Sequence, residues 1–462
     1  MLKLKYVFII CILMSFFSCS KSSSKENPYS PPNTLPLADP PQYGTPFSNV
    51  PSPQDASIYQ VNIRSFSAEG NFKGIIARLD SIKALGINVI YLMPIYPVGN
   101  VKTVNSPYCV RDYLTVNEEF GSLTDLRTLI ESAHSKNMAV IIDWVANHSS
   151  WDNAWIINNK SWYAQDANGN IISPPGTSWN DVAQLNFGNA AMRLQMIKSM
   201  KYWVLAANID GFRCDYADGP PSDFWKQAID TLRNISYHKF LMLAEGSRAN
   251  NFSVGFDYNF SFAYFEKLKA IYAYNQSALA IDSLNKSEYV GASTGNEVVR
   301  YLSNHDVNGS DGTPLDLFGG KKGSMAAFVA TAYMKGVPMI YNGQEVGTPI
   351  RLTFPFTSTK IDWSLNPDIS AEYKKIIAFR NSSMALRRGD LSSYSTQDVI
   401  AFTKTIGSEK VFIVANLRNR TINYFLPANL TSSTWFDAIN GGVVSLTSQL
   451  SMPAFTYLVL KN

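Results

Sequence analysis

Four acidic residues, Asp143, Asp215, Glu245 and Asp306, each end or closely follow an apolar run. Arg213 stands two residues before Asp215, and His305 directly precedes Asp306. Converging carboxyl groups can divide labour, one attacking an electrophilic carbon while another gives and takes a proton. One acid after a strand is ordinarily a cap or a loop ion pair. An array of them is costly, because buried carboxylates need partners. Their recurrence at successive strand ends therefore points to chemistry.

The elements that must carry these acids follow a βα rhythm. Residues 58–63, 87–92 and 139–143 read as strands, the third apolar up to Asp143, as in a parallel sheet covered on both faces. Ile75, Ile76, Leu79, Ile82 and Leu85 recur at helical spacing, and Gly86 stops that helix. Ser122-Leu123-Thr124-Asp125 predicts a capping box opening a helix through Lys136. Further strands are expected at 209–215, 240–245, around Phe256, at 298–302 and at 337–341. That count predicts an α/β fold, a (β/α)8 TIM barrel, in which strand C-terminal ends converge on the active-site face.

The expected division of the chain is a signal segment over 1–18, a flexible tether over 19–52, and a barrel over 53–382. A small excursion interrupts the barrel over about 149–190, and an antiparallel β-sandwich occupies 383–462. The excursion carries Trp151, Trp155, Trp162 and Trp179. Of the 462 residues, 46% are hydrophobic and 16% charged, enough for a large core. A net charge of +4 without a basic block argues against nucleic acid as a partner. Cys109 and Cys214 are expected to stay free, and the four histidines show no metal-type spacing. Lys3, Lys5 and an apolar run over 7–17 lead to Ser18-Cys19, a pattern that resembles a bacterial lipoprotein signal lipidated at Cys19. Phe16 departs from that pattern.

The motifs around the acids resemble those of the α-amylase family of glycoside hydrolases, family 13. Asp143-Trp144-Val145-Ala146-Asn147-His148 is similar to the family's first motif and Gly211-Phe212-Arg213-Cys214-Asp215 to its second. Glu245 after its strand resembles the third, and Ser303-Asn304-His305-Asp306 the fourth. Ser106-Pro107-Tyr108 and Gln184-Leu185-Asn186 match the loops after the second strand and in the excursion. The resemblance implies a retaining hydrolase of α-1,4-glucosidic bonds in starch-like glucans or maltooligosaccharides. Asp215 would be the nucleophile, with Arg213 holding it ionised. Glu245 would be the acid/base, with a raised pKa, and Asp306 the transition-state stabiliser. His148 and His305 would hydrogen-bond the sugar and Tyr108 would stack beneath it. Trp151 and Trp155 are candidates to line distal subsites, with core packing as the equal alternative.

Departures from the family pattern leave alternatives. No cofactor is required. A structural calcium would use Asn147, but Gln184 replaces an expected Asp and weakens that site. Gly219 replaces a His whose backbone carbonyl is another calcium ligand, a less decisive change, and Tyr216-Ala217-Asp218-Gly219 departs from the pattern on the leaving-group side, which leaves bond specificity open. Asn105, where exo-acting members have Asp, tilts toward endo action. An exo-acting α-glucosidase, a transglycosylase and a non-catalytic surface glycan-binding protein are the other readings. The expected setting is the bacterial cell envelope, with a monomer anchored to the membrane through its lipid.

Overall fold

The computed structural model describes residues 38–431 and 434–462. The expected lipidation site, Cys19, lies outside them. Eight parallel strands close into a barrel. They are β1 (Ile58–Val61), β2 (Val89–Leu92), β3 (Ala139–Trp144), β4 (Gly211–Cys214), β5 (Leu241–Ala244), β6 (Tyr258–Phe260), β7 (Glu297–Tyr301) and β8 (Val337–Tyr341). β1 closes the ring by pairing with both β2 and β8. Every strand residue is buried, which explains why the runs are apolar rather than alternating.

Two expectations are corrected near the N-terminus. The helix expected across 75–85 is two helices, Phe72–Ile76 and Leu79–Ala84. The chain tightens between them, with the Arg78 N–H donating to the Ile75 carbonyl at 2.9 Å. The tether expected through residue 52 ends earlier, because residues 39–50 pack on the barrel. Phe47 stacks on His134 with ring centroids 4.3 Å apart, and the Tyr43 N–H donates to the Leu205 carbonyl at 2.7 Å. Apolar area and a backbone partner hold what composition alone left loose.

The helix expected after Ser122 runs Leu123–Ser135, with both bonds of the capping box made. Between β3 and helix Ala190–Ala207 the excursion folds around a ribbon that pairs His148–Ser150 with Val182–Gln184. The C-terminal strands are β9 (Asp390–Ser393), β10 (Val399–Ile406), β11 (Glu409–Asn416), β12 (Ile422–Phe425), β13 (Thr434–Asp437), β14 (Val443–Ser445), β15 (Gln449–Met452) and β16 (Tyr457–Lys461). They form a six-stranded antiparallel sheet and a two-stranded one, enclosing Phe412, Tyr424, Trp435 and Met452. Arg418 joins this region to the barrel by donating to the Ile271 and Gln276 carbonyls, both at 2.6 Å. Lys404 donates to the Leu386 carbonyl at 2.7 Å and the Met334 carbonyl at 3.2 Å.

Gly211 opens β4 at φ +150°, and a Cβ there would sit 2.0 Å from the Leu241 carbonyl oxygen of β5. Gly211→Ala combines backbone strain with a clash inside the barrel wall. It should lower unfolding free energy by about 3 kcal/mol, read from urea denaturation. A loss below about 1 kcal/mol would show that the wall yields there.

Candidate active site

The parallel ladder sets the site. Cys214 of β4 lies opposite Ala244 of β5, so the next residues, Asp215 and Glu245, emerge side by side at the barrel mouth. Their amides fix that exit. Asp215 N–H donates to the Trp144 carbonyl at 2.9 Å and Glu245 N–H to the Cys214 carbonyl at 3.0 Å. Arg213 points inward from β4 with no exposed side-chain surface. Its Nη1 reaches Asp143 Oδ1 at 2.7 Å and Asp215 Oδ1 at 3.0 Å, and Nη2 lies 2.5 Å from Glu245 Oε1. One guanidinium thus bridges the two carboxylates that the motifs single out.

Asp306 arrives from β7. Asn304 caps helix His305–Ser310 by accepting from the Asp306 and Val307 amides, both at 2.9 Å. The Asp306 side chain is 60% exposed and lies 3.4 Å from His305 Nε2. His305 is buried, and its tautomer follows from its neighbours. Gln60 Nε2 donates to His305 Nδ1 at 2.8 Å, so the ring hydrogen sits on Nε2 and points to the Tyr108 hydroxyl at 2.7 Å. Tyr108 in turn donates to Asp143 Oδ2 at 3.0 Å, as Tyr91 does at 2.6 Å. Burial pushes His305 and His148 down to about 4, which leaves both rings neutral at working pH.

Asp143, outside the expected catalytic set, is fully buried and shares Arg213 with Asp215. Burial first, then the charge of Glu245, pushes Asp215 well above the usual carboxylate range. Arg213, 3.0 Å away, pulls it back down, as the motif led one to expect, but against that burial and those charges.

The carboxylates open into a cleft of about 1270 Å³ whose lining includes Tyr108, His148, Asp215, Glu245, His305 and Asp306. Trp151 and Trp155 do not line it. Trp155 packs on Tyr113 and Trp162, and Lys102 covers the Trp151 ring at 3.6 Å. The excursion's tryptophan in the cleft is Trp179, joined by Tyr216, Phe262, Phe354 and Phe356. Of the residues that sequence reasoning missed, Gln60 and Tyr91 left a signal, hydrogen-bonding side chains in the middle of apolar strands. Phe354 and Phe356 left none, since aromatic residues in a long loop read equally as core.

Asn147 and Gln184 face each other where the excursion joins the barrel. Gln184 Nε2 donates to the Asn147 and Leu185 carbonyls, both at 3.0 Å, and to Asn147 Oδ1 at 3.3 Å. Asn147 Nδ2 donates back to Gln184 Oε1 at 3.2 Å. Asn105 is turned from the cleft, its carbonyl and Oδ1 accepting from Arg64 at 2.8 and 3.1 Å.

A family model described as the alpha-amylase catalytic domain matches residues 33–174 and 176–351. Alpha-amylase 3 of Dictyoglomus thermophilum is 27% identical over 447 residues, 82% of this chain and 87% of that one. A cyclomaltodextrin glucanotransferase of Thermoanaerobacterium thermosulfurigenes is 25% identical, covering 84% of this chain and 61% of its own. The fold is also that of a noncanonic maltogenic alpha-amylase, AmyB, from Thermotoga neapolitana. That likeness has a TM-score of 0.79 at 23% identity and covers 89% of this chain and 99% of that one.

A carboxyl whose folded-state pKa is raised contributes stability while protonated and loses it as pH rises through that pKa. Ionised Asp215 therefore costs stability at neutral pH. Asp215→Asn should melt above the parent protein at pH 7, and the gap should close as pH falls toward 4. A lower melting temperature at pH 7 would contradict this electrostatic account.

Proposed function

From membership of the α-amylase family of glycoside hydrolases, to which this chain belongs, we propose that it cleaves α-1,4-glucosidic bonds in starch-like glucans with retention, attacking within the chain. The observation that carries this reading is the single guanidinium that holds Asp215 and Glu245 together at the floor of an open cleft. A double displacement needs such a close pair, one carboxylate to bond the anomeric carbon and one carboxyl to protonate the departing oxygen. Asp215 is the nucleophile and Glu245 the acid/base. Asp306, exposed to the cleft, meets the sugar hydroxyls and the positive charge that develops on the ring. His148, neutral and buried, hydrogen-bonds the same sugar, and His305, whose two ring nitrogens are taken by Gln60 and Tyr108, instead holds the Tyr108 ring that lies under it. The position of Asn105 favours internal attack, since Arg64 already holds the amide that would clasp a chain end.

The resemblance implies a calcium near Asn147, and the residues do not fit one. A hard cation needs a shell of oxygens, preferably charged. Here Gln184 offers an uncharged amide whose Nε2 donates to the Asn147 and Leu185 carbonyls and to Asn147 Oδ1, oxygens that a cation would need. Among the described residues, no group of three or more His, Cys, Asp or Glu could hold a metal. The reaction proposed for Asp215 and Glu245 proceeds without one. Lipidation at Cys19 and attachment to the bacterial envelope belong to the same proposal, as does a monomeric state.

Maltoheptaose should give a mixture of short oligosaccharides. Glucose alone would mean exo-cleavage, and chains longer than the substrate would mean transfer. Asp215→Asn and Glu245→Gln should each lower release of reducing ends from starch by at least about a thousandfold while the protein stays folded. Near-parental activity in both would sink the assignment.

Chelation should leave the melting temperature unchanged, and Gln184→Ala should lower unfolding free energy by about 1–3 kcal/mol. A melting point that drops in chelator and recovers with added calcium would show that the amide gives way to a cation.

A further inference from the structure

The residue that follows the nucleophile is an aromatic in a backbone conformation that aromatic residues rarely adopt. Tyr216 has φ +43°, a strain that persists only where the surroundings impose it. The turn directs its N–H to Glu245 Oε2 at 2.8 Å and sends its ring into the cleft, where the residue is 39% exposed. There it meets Trp179 edge to face, with centroids 5.1 Å apart at 82°. Trp179 in turn rests against His148 at 5.6 Å.

Gly219 explains how the ring is accommodated. A Cβ at that position would lie 2.5 and 2.6 Å from Tyr216 Cδ1 and Cε1, and 2.7 Å from Asn147 Oδ1. The absent side chain is the room in which the Tyr216 ring lies. Asp218 between them is committed elsewhere, accepting from the Ser247 N–H at 3.0 Å and from Asn251 Nδ2 at 3.1 Å. The segment that follows the nucleophile is therefore arranged around one ring.

We propose that the Tyr216–Trp179 corner is a sugar-stacking platform on the Glu245 side of the scissile bond, specific to this chain through the Tyr216–Gly219 pair. This rests on the reading of Glu245 as acid/base. The side on which that carboxyl protonates oxygen is the leaving-group side, and Tyr216 is bonded to that carboxyl. The platform offers aromatic faces to the C–H face of the departing glucosyl ring. It offers the same faces to an incoming sugar. In that direction an acceptor hydroxyl bonds the anomeric carbon as the bond from that carbon to the Asp215 carboxylate breaks. The hydroxyl proton goes to the Glu245 carboxylate. A site that seats a sugar there lets an abundant sugar acceptor compete with water, while water remains the acceptor when none is added.

Two substrates separate this platform from the rest of the site. Maltotetraose leaves a sugar there, whereas α-maltosyl fluoride leaves only fluoride. Tyr216→Gly keeps the left-handed backbone and removes the ring, Trp179→Ala removes the wall, and Gly219→Ala displaces the ring without touching sugar. Each should lower the ratio of kcat/KM on maltotetraose to kcat/KM on the fluoride at least tenfold. Tyr216→Phe should preserve it. Added maltose should yield fewer transfer products in the three variants than in the parent. Turnover of the fluoride shows in each case that the variant is folded. Unchanged ratios in all three variants overturn the platform and leave the hydrolase reading standing. A parent protein inactive on both substrates overturns the hydrolase reading itself.

Discussion

Arg213 is a guanidinium with no exposed side-chain surface, and a buried charge of that kind persists only where opposite charge and acceptors surround it. Asp143, Asp215 and Glu245 supply the charge, each from a different strand end. Removing any one of them changes the balance felt by the other two. The arrangement ties β3, β4 and β5 together at the barrel mouth, so the catalytic spacing is a property of the ladder rather than of mobile loops.

Around this ion cluster the protein places neutral polar groups instead of further charge. Tyr91 and Tyr108 donate to Asp143, His305 donates to Tyr108, and Gln60 donates to His305. Burial keeps the imidazole uncharged, so the chain of donors runs in one direction, from the first strand toward the acid. The excess of negative charge falls on the residues that meet substrate. A positive charge developing on a sugar ring would enter a site already short of cations.

Much of this was legible in the sequence because the constraints are local. Strand β8 spans 337–341 as read, since a buried parallel strand must be a short apolar run. The acids were legible because each interrupts such a run at its end. The helix break near Arg78 was not, because periodicity continues across it while the backbone does not. Residues 39–50 looked like tether because their polar composition conceals Phe47, whose ring covers His134. Trp151 and Trp155 stay open between cleft and core, and Trp179 is not singled out, because nothing in one sequence says which of four indoles faces a cleft. Tyr216 and Gly219 read as departures from a pattern. Their meaning is spatial, a ring and the vacancy it fills, and appears only when both are placed.

Among the bonds that join the C-terminal strands to the barrel, two come from cations that carry no carboxylate from the barrel side. Lys404 and the Nη atoms of Arg418 end on main-chain carbonyls of Met334, Leu386, Ile271 and Gln276. The Met334, Ile271 and Gln276 oxygens lie at the ends of barrel helices or just beyond, and that of Leu386 lies in the short helix Met384–Arg388 that leads into the sheet. The sheet cannot release without exposing orphaned acceptors, nor can the helices fray without stranding the sheet. The join thus rests on backbone acceptors that neither side can bare without cost, which ties the fate of the helix ends to that of the sheet.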